Sequence, residues 1–433
     1  MANTARTEMA LLLRRAGFTA TPVELDAAVA RGYSTTLAML LAGGEDPGVR
    51  ATPPPEIPIV GRGGAAGSPE RAAAGKQRAA QGRALTGWWI ERMVAATVPL
   101  PEKLTWFWHG HFATSVAKVR EPALMLRQNE LFRRGGQSAF GAFTLAVATD
   151  PAMLVWLDAG QDKAGHPNEN FARELMELFT LGIGRYEETD VREAARGFTG
   201  WAYDRGTDSF VVHDRQHDGG TKTLLGVTGP MTGADVVSLV THRPDSARWV
   251  LSRLWSRFAY PVAPGDPVVT DLLPAYSPDQ PTTAALQALF THPAFLAEAT
   301  HSGLVRQPVE YVVAILRLLG LRAADLPHSP IGVLRGLGQV PFAPPSVGGW
   351  PTNRGWLSTA SALQRAGFVQ AAVPLADLSA VADQPAAARV DATAHLLGID
   401  GWTSATATVL RSQQGDPTRL VSLALLAPEF VLN

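Results

Sequence analysis

Helix signals run along nearly all of this chain, whereas a strand pattern occurs in one place, and that imbalance limits what it can fold into. Thr21-Pro22-Val23-Glu24 is a capping box with proline at the first helical position. Gly32 supplies the stop for that helix, and Ser34 can cap a second one that ends near Gly43. Helical periodicity returns from Glu70 to Gly135, broken at Pro99 and Pro101 just ahead of an aromatic block. Residues 138–158 read as a buried helix followed by a turn at Asp150-Pro151. Asp190-Val191-Arg192-Glu193 is a second capping box, opening a helix toward Trp201. Gly233 to Phe258, Thr282 to Leu319 and the chain after residue 351 are helical as well. Only Phe210-Val211-Val212 and Thr223-Leu224-Leu225, on either side of His217-Asp218-Gly219-Gly220, read as a hairpin. The class is mainly α: a multi-helix globular body with one small β-hairpin insertion at about residues 208–226.

The organisation follows from composition shifts. Residues 1–43 form an N-terminal helical segment, residues 44–68 a Pro/Gly-rich linker loop, and residues 69–433 the main helical domain. Gly61-Arg62-Gly63-Gly64 lacks a surrounding βα unit, so it does not read as a phosphate cradle. A hydrophobic content of 46% against 18% charged residues is enough to bury a core. The net charge of −1 gives no reason to expect nucleic acid. Arg133-Arg134 and Lys118 with Arg120 are diluted by Glu130 and Glu121 and read as solvated helix faces.

There is no cysteine, so any metal must be held by His, Asp, Glu or backbone oxygen. No run is long and apolar enough to span a bilayer. The apolar stretch Met9 to Leu13 is short, and Arg14-Arg15 follows it, so the start does not read as a signal peptide. A cytoplasmic location is expected, unless a partner carries the chain out.

Two blocks concentrate chemistry-bearing side chains within apolar surroundings. The first is Asn168-Glu169-Asn170-Phe171-Ala172-Arg173-Glu174-Leu175-Met176-Glu177-Leu178-Phe179. On a helix, Phe171, Leu175, Met176, Leu178 and Phe179 share one apolar face, with Glu169, Arg173 and Glu177 opposite at i, i+4 spacing. An ordinary amphipathic helix with solvated ion pairs explains this pattern. A polar face turned toward a cavity also explains it. In that case Arg173, Glu174 and Glu177 are candidate catalytic groups, and Asn168 and Asn170 candidate substrate contacts. Glu174 sits at the edge of the apolar stripe, where partial desolvation would raise its pKa.

The second block is Trp106-Phe107-Trp108-His109-Gly110-His111-Phe112. On an extended segment His109 and His111 point to the same side and, with Glu174, would supply three ligands to a divalent metal. On a helix they diverge by about 200° and would not share one ion. Alternatively, both donate to backbone carbonyls in an aromatic core. His217 and Asp218 form a third candidate group: His217 could close over a pocket as a substrate contact, whereas Asp218 before Gly219 is an ordinary turn residue. Trp350, in the Pro/Gly loop Pro341 to Pro351, is expected to anchor that loop. No Gly-x-Ser-x-Gly elbow, His-Glu-x-x-His or P-loop is present.

Taken in order, several runs resemble one bacterial family, domain of unknown function 1800. They are Leu12 to Phe18, Trp108 to Phe112, Asn168 to Gly182, Asp190 to Trp201, His217-Asp218 with Lys222-Thr223, and Gly338 to Trp350. The resemblance implies no established activity. It does imply a genomic neighbour, a sulfatase-like protein of domain of unknown function 1501. It also implies that histidine often stands where this chain has Phe179. Two functions are therefore expected. One is an enzyme or small-ligand-binding protein with a His/Glu/Arg/Asn pocket, in its metal-dependent form a hydrolase or oxidoreductase. The other is a non-catalytic partner that stabilises the sulfatase-like protein.

Overall fold

A computed structural model describes residues 2–61 and 63–432, so Arg62 of the glycine-rich run lies outside the described residues. The helix signals are realised: 63% of the chain is helical, and the strands form small antiparallel pairs alone. The strand pairing differs from the expected single hairpin. β1 (Trp201–Asp204) pairs with β2 (Ser209–Val212), and β3 (Thr221–Leu224) pairs with β4 (Val227–Pro230). His217-Asp218-Gly219-Gly220 therefore links two hairpins and is not the turn of one. The pattern of Phe210-Val211-Val212 and Thr223-Leu224 marks strands but not partners; each closes on its nearer neighbour, which costs less loop entropy.

Two helix starts also shift. The helix Glu188–Phe198 is capped at Glu187, and Asp190 is the third helical residue of a reciprocal capping box. The helix Tyr33–Ala42 begins at Gly32, ahead of Ser34. The predicted box at Thr21 is present, with the Glu24 carboxylate accepting from the Thr21 N–H at 2.8 Å.

Two adjoining hydrophobic cores hold the helices together. One contains Leu11, Leu12 and Leu37 from the first 43 residues together with Trp108, Phe112, Phe140 and Trp255. The other contains Trp89, Trp106, Val312, Ile315 and Leu425. Residues 44–68 are tied to this body at Asp46. Its carboxylate accepts from the N–H groups of Gly48, Thr97 and Val98 at 2.9, 2.8 and 2.6 Å.

The helix Leu100–His111 stands between the cores. Its prolines start it instead of breaking the chain ahead of it. Pro99 is the cap and Pro101 lies in the first turn, where a missing N–H removes no helical bond. Trp106 faces one core and Trp108 the other, as residues two apart on a helix must. Both are at most 2% exposed, so truncating Trp108 to alanine would cost about 3–5 kcal/mol.

Candidate functional site

The polar face of the first sequence block turns to solvent. Asn168 caps the helix Glu169–Glu174, accepting from the Asn170 N–H at 3.0 Å, while its own amide donates to Leu157 O and Asp158 O. Asn170 is exposed. Arg173 reaches outward to Glu188 at 2.7 Å and back to Glu169 at 3.3 Å. Partial burial, reinforced by Glu177 and opposed by Arg173, moves the Glu174 pKa upward. Glu177 accepts from the Tyr186 hydroxyl. These residues share a helix face, but they do not line the cavity described below.

After Glu174 the chain continues as a π-helical turn, Leu175–Thr180. Its wider i→i+5 bonding leaves two carbonyls for side chains from other helices. Leu178 O accepts from the Trp249 indole at 2.9 Å, and Phe179 O is 2.9 Å from His111 Nε2.

The two histidines lie on a helix and go different ways. His109 Nε2 accepts from the Phe342 N–H at 2.9 Å, and its ring packs among Trp89, Trp106 and Trp350. His111 packs among Phe107, Phe112 and Phe179. Burial pushes the His109 pKa down to about 3. Burial together with the positive charge of Arg253 pushes His111 to about 3, against the bond to Phe179 O. The three-ligand metal set of His109, His111 and Glu174 is therefore not assembled. Among the described residues no three His, Asp or Glu side chains converge as metal ligands would.

His217 and Asp218 pack against the end of the helix Glu188–Phe198. His217 Nδ1 lies 3.0 Å from Thr199 O. Asp218 accepts from Arg196 Nε at 2.7 Å, and that pairing holds its carboxyl down at about 2. His217 does not cap the cavity.

The cavity that sequence blocks do line lies on another side of the aromatic helix. It encloses about 290 Å³, near the lower end of small-molecule sites. Trp106, Phe107 and Gly110 form one wall, and Gly348 and Trp350 of the Pro/Gly loop form a second. That loop seats directly on the helix. A Cβ at Gly349, where φ is +81°, would lie 2.6 Å from Gly110 O, so glycine alone fits. The Trp106 and Trp350 rings are 5.1 Å apart. A third wall is the helix Pro244–Phe258, which presents Arg253, Ser256 and Arg257 on one face. Glu310, in the first turn of the helix Pro308–Leu318, completes the lining with Gln307.

The electrostatics of this cavity are unbalanced. Glu310 is buried and ion-paired with both Lys103 and Arg257, the latter at 2.8 Å. Burial pushes its pKa up, but the two cations overcome that and hold it well below the usual carboxylate range. Burial also lowers Lys103, against the attraction of Glu310. Among the described residues Arg253 has no carboxylate partner, only the face of Trp249 at 5.7 Å, and burial lowers its pKa.

Four buried side-chain atoms on the lining residues have no hydrogen-bond partner among the described residues: Arg253 Nε, Arg257 Nε and Nη2, and Trp350 Nε1. Arg257 Nη2 is close to Glu310 but off the hydrogen-bonding line. All four atoms are donors. The amides are already used: Gln307 Oε1 accepts from Trp106 Nε1 at 3.0 Å and from Gln339 Nε2 at 2.9 Å. Ser256 Oγ accepts from the Val262 N–H at 3.0 Å. A cavity with spare donors, spare positive charge and aromatic walls can hold an acceptor-rich anion.

Sequence reasoning missed Arg253, Arg257 and Glu310. A signal was available. Glu310 is a lone acid in Val309-Glu310-Tyr311-Val312-Val313, and two arginines at i, i+4 stand inside the apolar Trp249 to Phe258 run. A carboxylate in so apolar a helix has to find cations.

No curated protein and no solved structure matches this chain. The family model described as protein of unknown function (DUF1800) matches residues 11–432, nearly the whole length. The chain therefore belongs to that family.

Proposed function

We propose that this protein binds a compact anion, with carboxylate, phosphate or sulfate oxygens beside an apolar portion, in the cavity between Arg253, Arg257, Trp106 and Trp350. The observation that carries the reading is three buried donors on the lining residues, Arg253 Nε, Arg257 Nε and Trp350 Nε1, that make no hydrogen bond among the described residues, with no unsatisfied acceptor beside them. An unpaired buried donor is costly, and a ligand oxygen would relieve it. The single carboxylate, Glu310, is held by Lys103 and Arg257, which leaves the charge of Arg253 for the ligand. The reading keeps the small-ligand expectation and moves its site from the outward face of residues 168–177 to this cavity. No proton-transfer role is assigned, because Glu310 is clamped by cations and both histidines are turned to backbone groups.

Thermal unfolding in the presence of phosphate, sulfate and small mono- and dicarboxylates tests this. Saturation at a hundredfold excess over Kd stabilises by about 2.7 kcal/mol. At least one of these anions should raise the midpoint of the wild type and leave Arg253→Gln unmoved. Equal shifts in both proteins, or none in either, would remove the proposal.

A further inference from the structure

Gln339 lines the inner cavity, and Val340-Pro341-Phe342, immediately after it, face a second and larger space. This is a groove of about 1030 Å³ beside the helix Pro69–Ala95. Arg71, Arg83, Arg120, Arg205 and Arg335 line it, all exposed, and none makes an ion pair among the described residues. Two further cations are already engaged. Arg78 donates to Val60 O and Gly61 O at 2.6 and 2.7 Å, and Lys118 pairs with Asp158 at 2.6 Å. The one carboxylate in the lining, Glu121, is buried, accepts from the Val60 N–H at 3.0 Å and lies beside Arg78. These five guanidiniums, of which Arg205 also lies over the Tyr203 ring, come from four parts of the chain, so the fold gathers a charge that no sequence run displays.

Arg120 closes the short helix Val116–Val119 at φ +57°, in the left-handed conformation of a helix cap.

The shape of the groove selects among anions. From Arg71 to Arg83 the helix advances about 18 Å, so one anionic headgroup would not meet both. The occupant therefore carries several separated negative charges. The floor is apolar, with Val340 and the edge of Ile331. On the helix side Gly75, Ala79 and Gly82 leave room for a backbone to approach. Phe342 is only 2% exposed and packs inward, so the floor offers no open aromatic face on which bases could stack. An extended peptide alternates its side chains between two faces, and about six residues cover that length. Acidic side chains would meet the rim while aliphatic ones meet the floor.

We propose that this groove docks an acidic, aliphatic-rich segment of a partner protein in extended form. Arginine favours such an occupant through bidentate carboxylate recognition.

The test is fluorescence anisotropy with a labelled octapeptide alternating glutamate and leucine, titrated with the full chain at low salt. Saturable binding is expected. It should weaken by about tenfold or more in Arg83→Glu/Arg120→Glu/Arg335→Glu and fall as salt rises. A lysine–leucine octapeptide should not bind. Arg83→Glu alone, at an exposed helix position, should still weaken binding by about threefold if the triple variant does not fold. No binding of the acidic peptide, binding unmoved by charge reversal, or tighter binding of an oligothymidylate of equal length would overturn the proposal.

Discussion

Arginine and glutamate meet in two places in this protein, with opposite consequences. On the 169–188 face, Arg173 stands between Glu169 and Glu188, all three reach water, and each charge has an opposite neighbour. At the inner cavity the one lining carboxylate, Glu310, pairs with buried Lys103 and with Arg257, and Arg253 lines the same space without a carboxylate partner among the described residues. The outer cluster is solvated and its arginine already paired, so it contributes little to stability or recognition. The inner cluster carries excess positive charge and unused donors, which is costly unless something occupies the space. Residue type alone does not make a site; imbalance in a dry place does.

The largest effect that separates the two clusters is on stability. Arg257→Leu removes one of the two cations ion-paired with buried Glu310 and should destabilise by about 3–5 kcal/mol in urea unfolding. Arg253→Leu removes a charge that has no carboxylate partner among the described residues, only the Trp249 face, so the unliganded protein should lose no more than about 1 kcal/mol. Equal losses at the two positions would show that Arg253 also has a counter-charge.

Next in size is the acid limb. Unfolded histidine takes up its proton near pH 6.5, whereas His109 and His111 in the fold resist until about pH 3. The unfolded state thus binds more protons across that window. The stability these groups contribute is full above pH 6.5 and is lost as pH falls toward 3. Each histidine should account for up to about 5 kcal/mol of that loss. His111→Gln should flatten the limb in unfolding curves taken between these pH values. A limb unchanged in His109→Gln and His111→Gln would place the acid sensitivity elsewhere.

A smaller effect concerns affinity. Arg253→Gln should weaken any anion the wild type binds by about tenfold or more, equivalent to about 1.4 kcal/mol, in calorimetric titration. The smallest effect belongs to the outer face. Arg173→Gln should leave both the urea midpoint and the anion affinity at wild-type values. A loss of affinity there would shift the site back to the first sequence block.

The helical class was legible because periodicity and capping are local, and a local signal survives without knowledge of neighbours. The box at Thr21 shows this. The pairing of β1 to β4 was not legible, because four-residue strands do not encode their partners. The first sequence block gave its helix and its apolar face correctly, but a row of Glu and Arg looks the same toward water as toward a cavity. The aromatic block was legible as important and illegible in conformation. Pro99 and Pro101 read equally as a break or as a helix start, and that choice decides whether His109 and His111 share a side. Glu310 and Arg257 are 53 residues apart in sequence and pair only in the fold.

The most direct test of the inner cavity is anomalous diffraction from crystals soaked in selenate, a compact oxyanion that scattering locates without ambiguity. The account predicts a peak inside the cavity within hydrogen-bonding distance of Arg253 and Arg257. Selenium at surface arginines such as Arg173 with none in the cavity would contradict it.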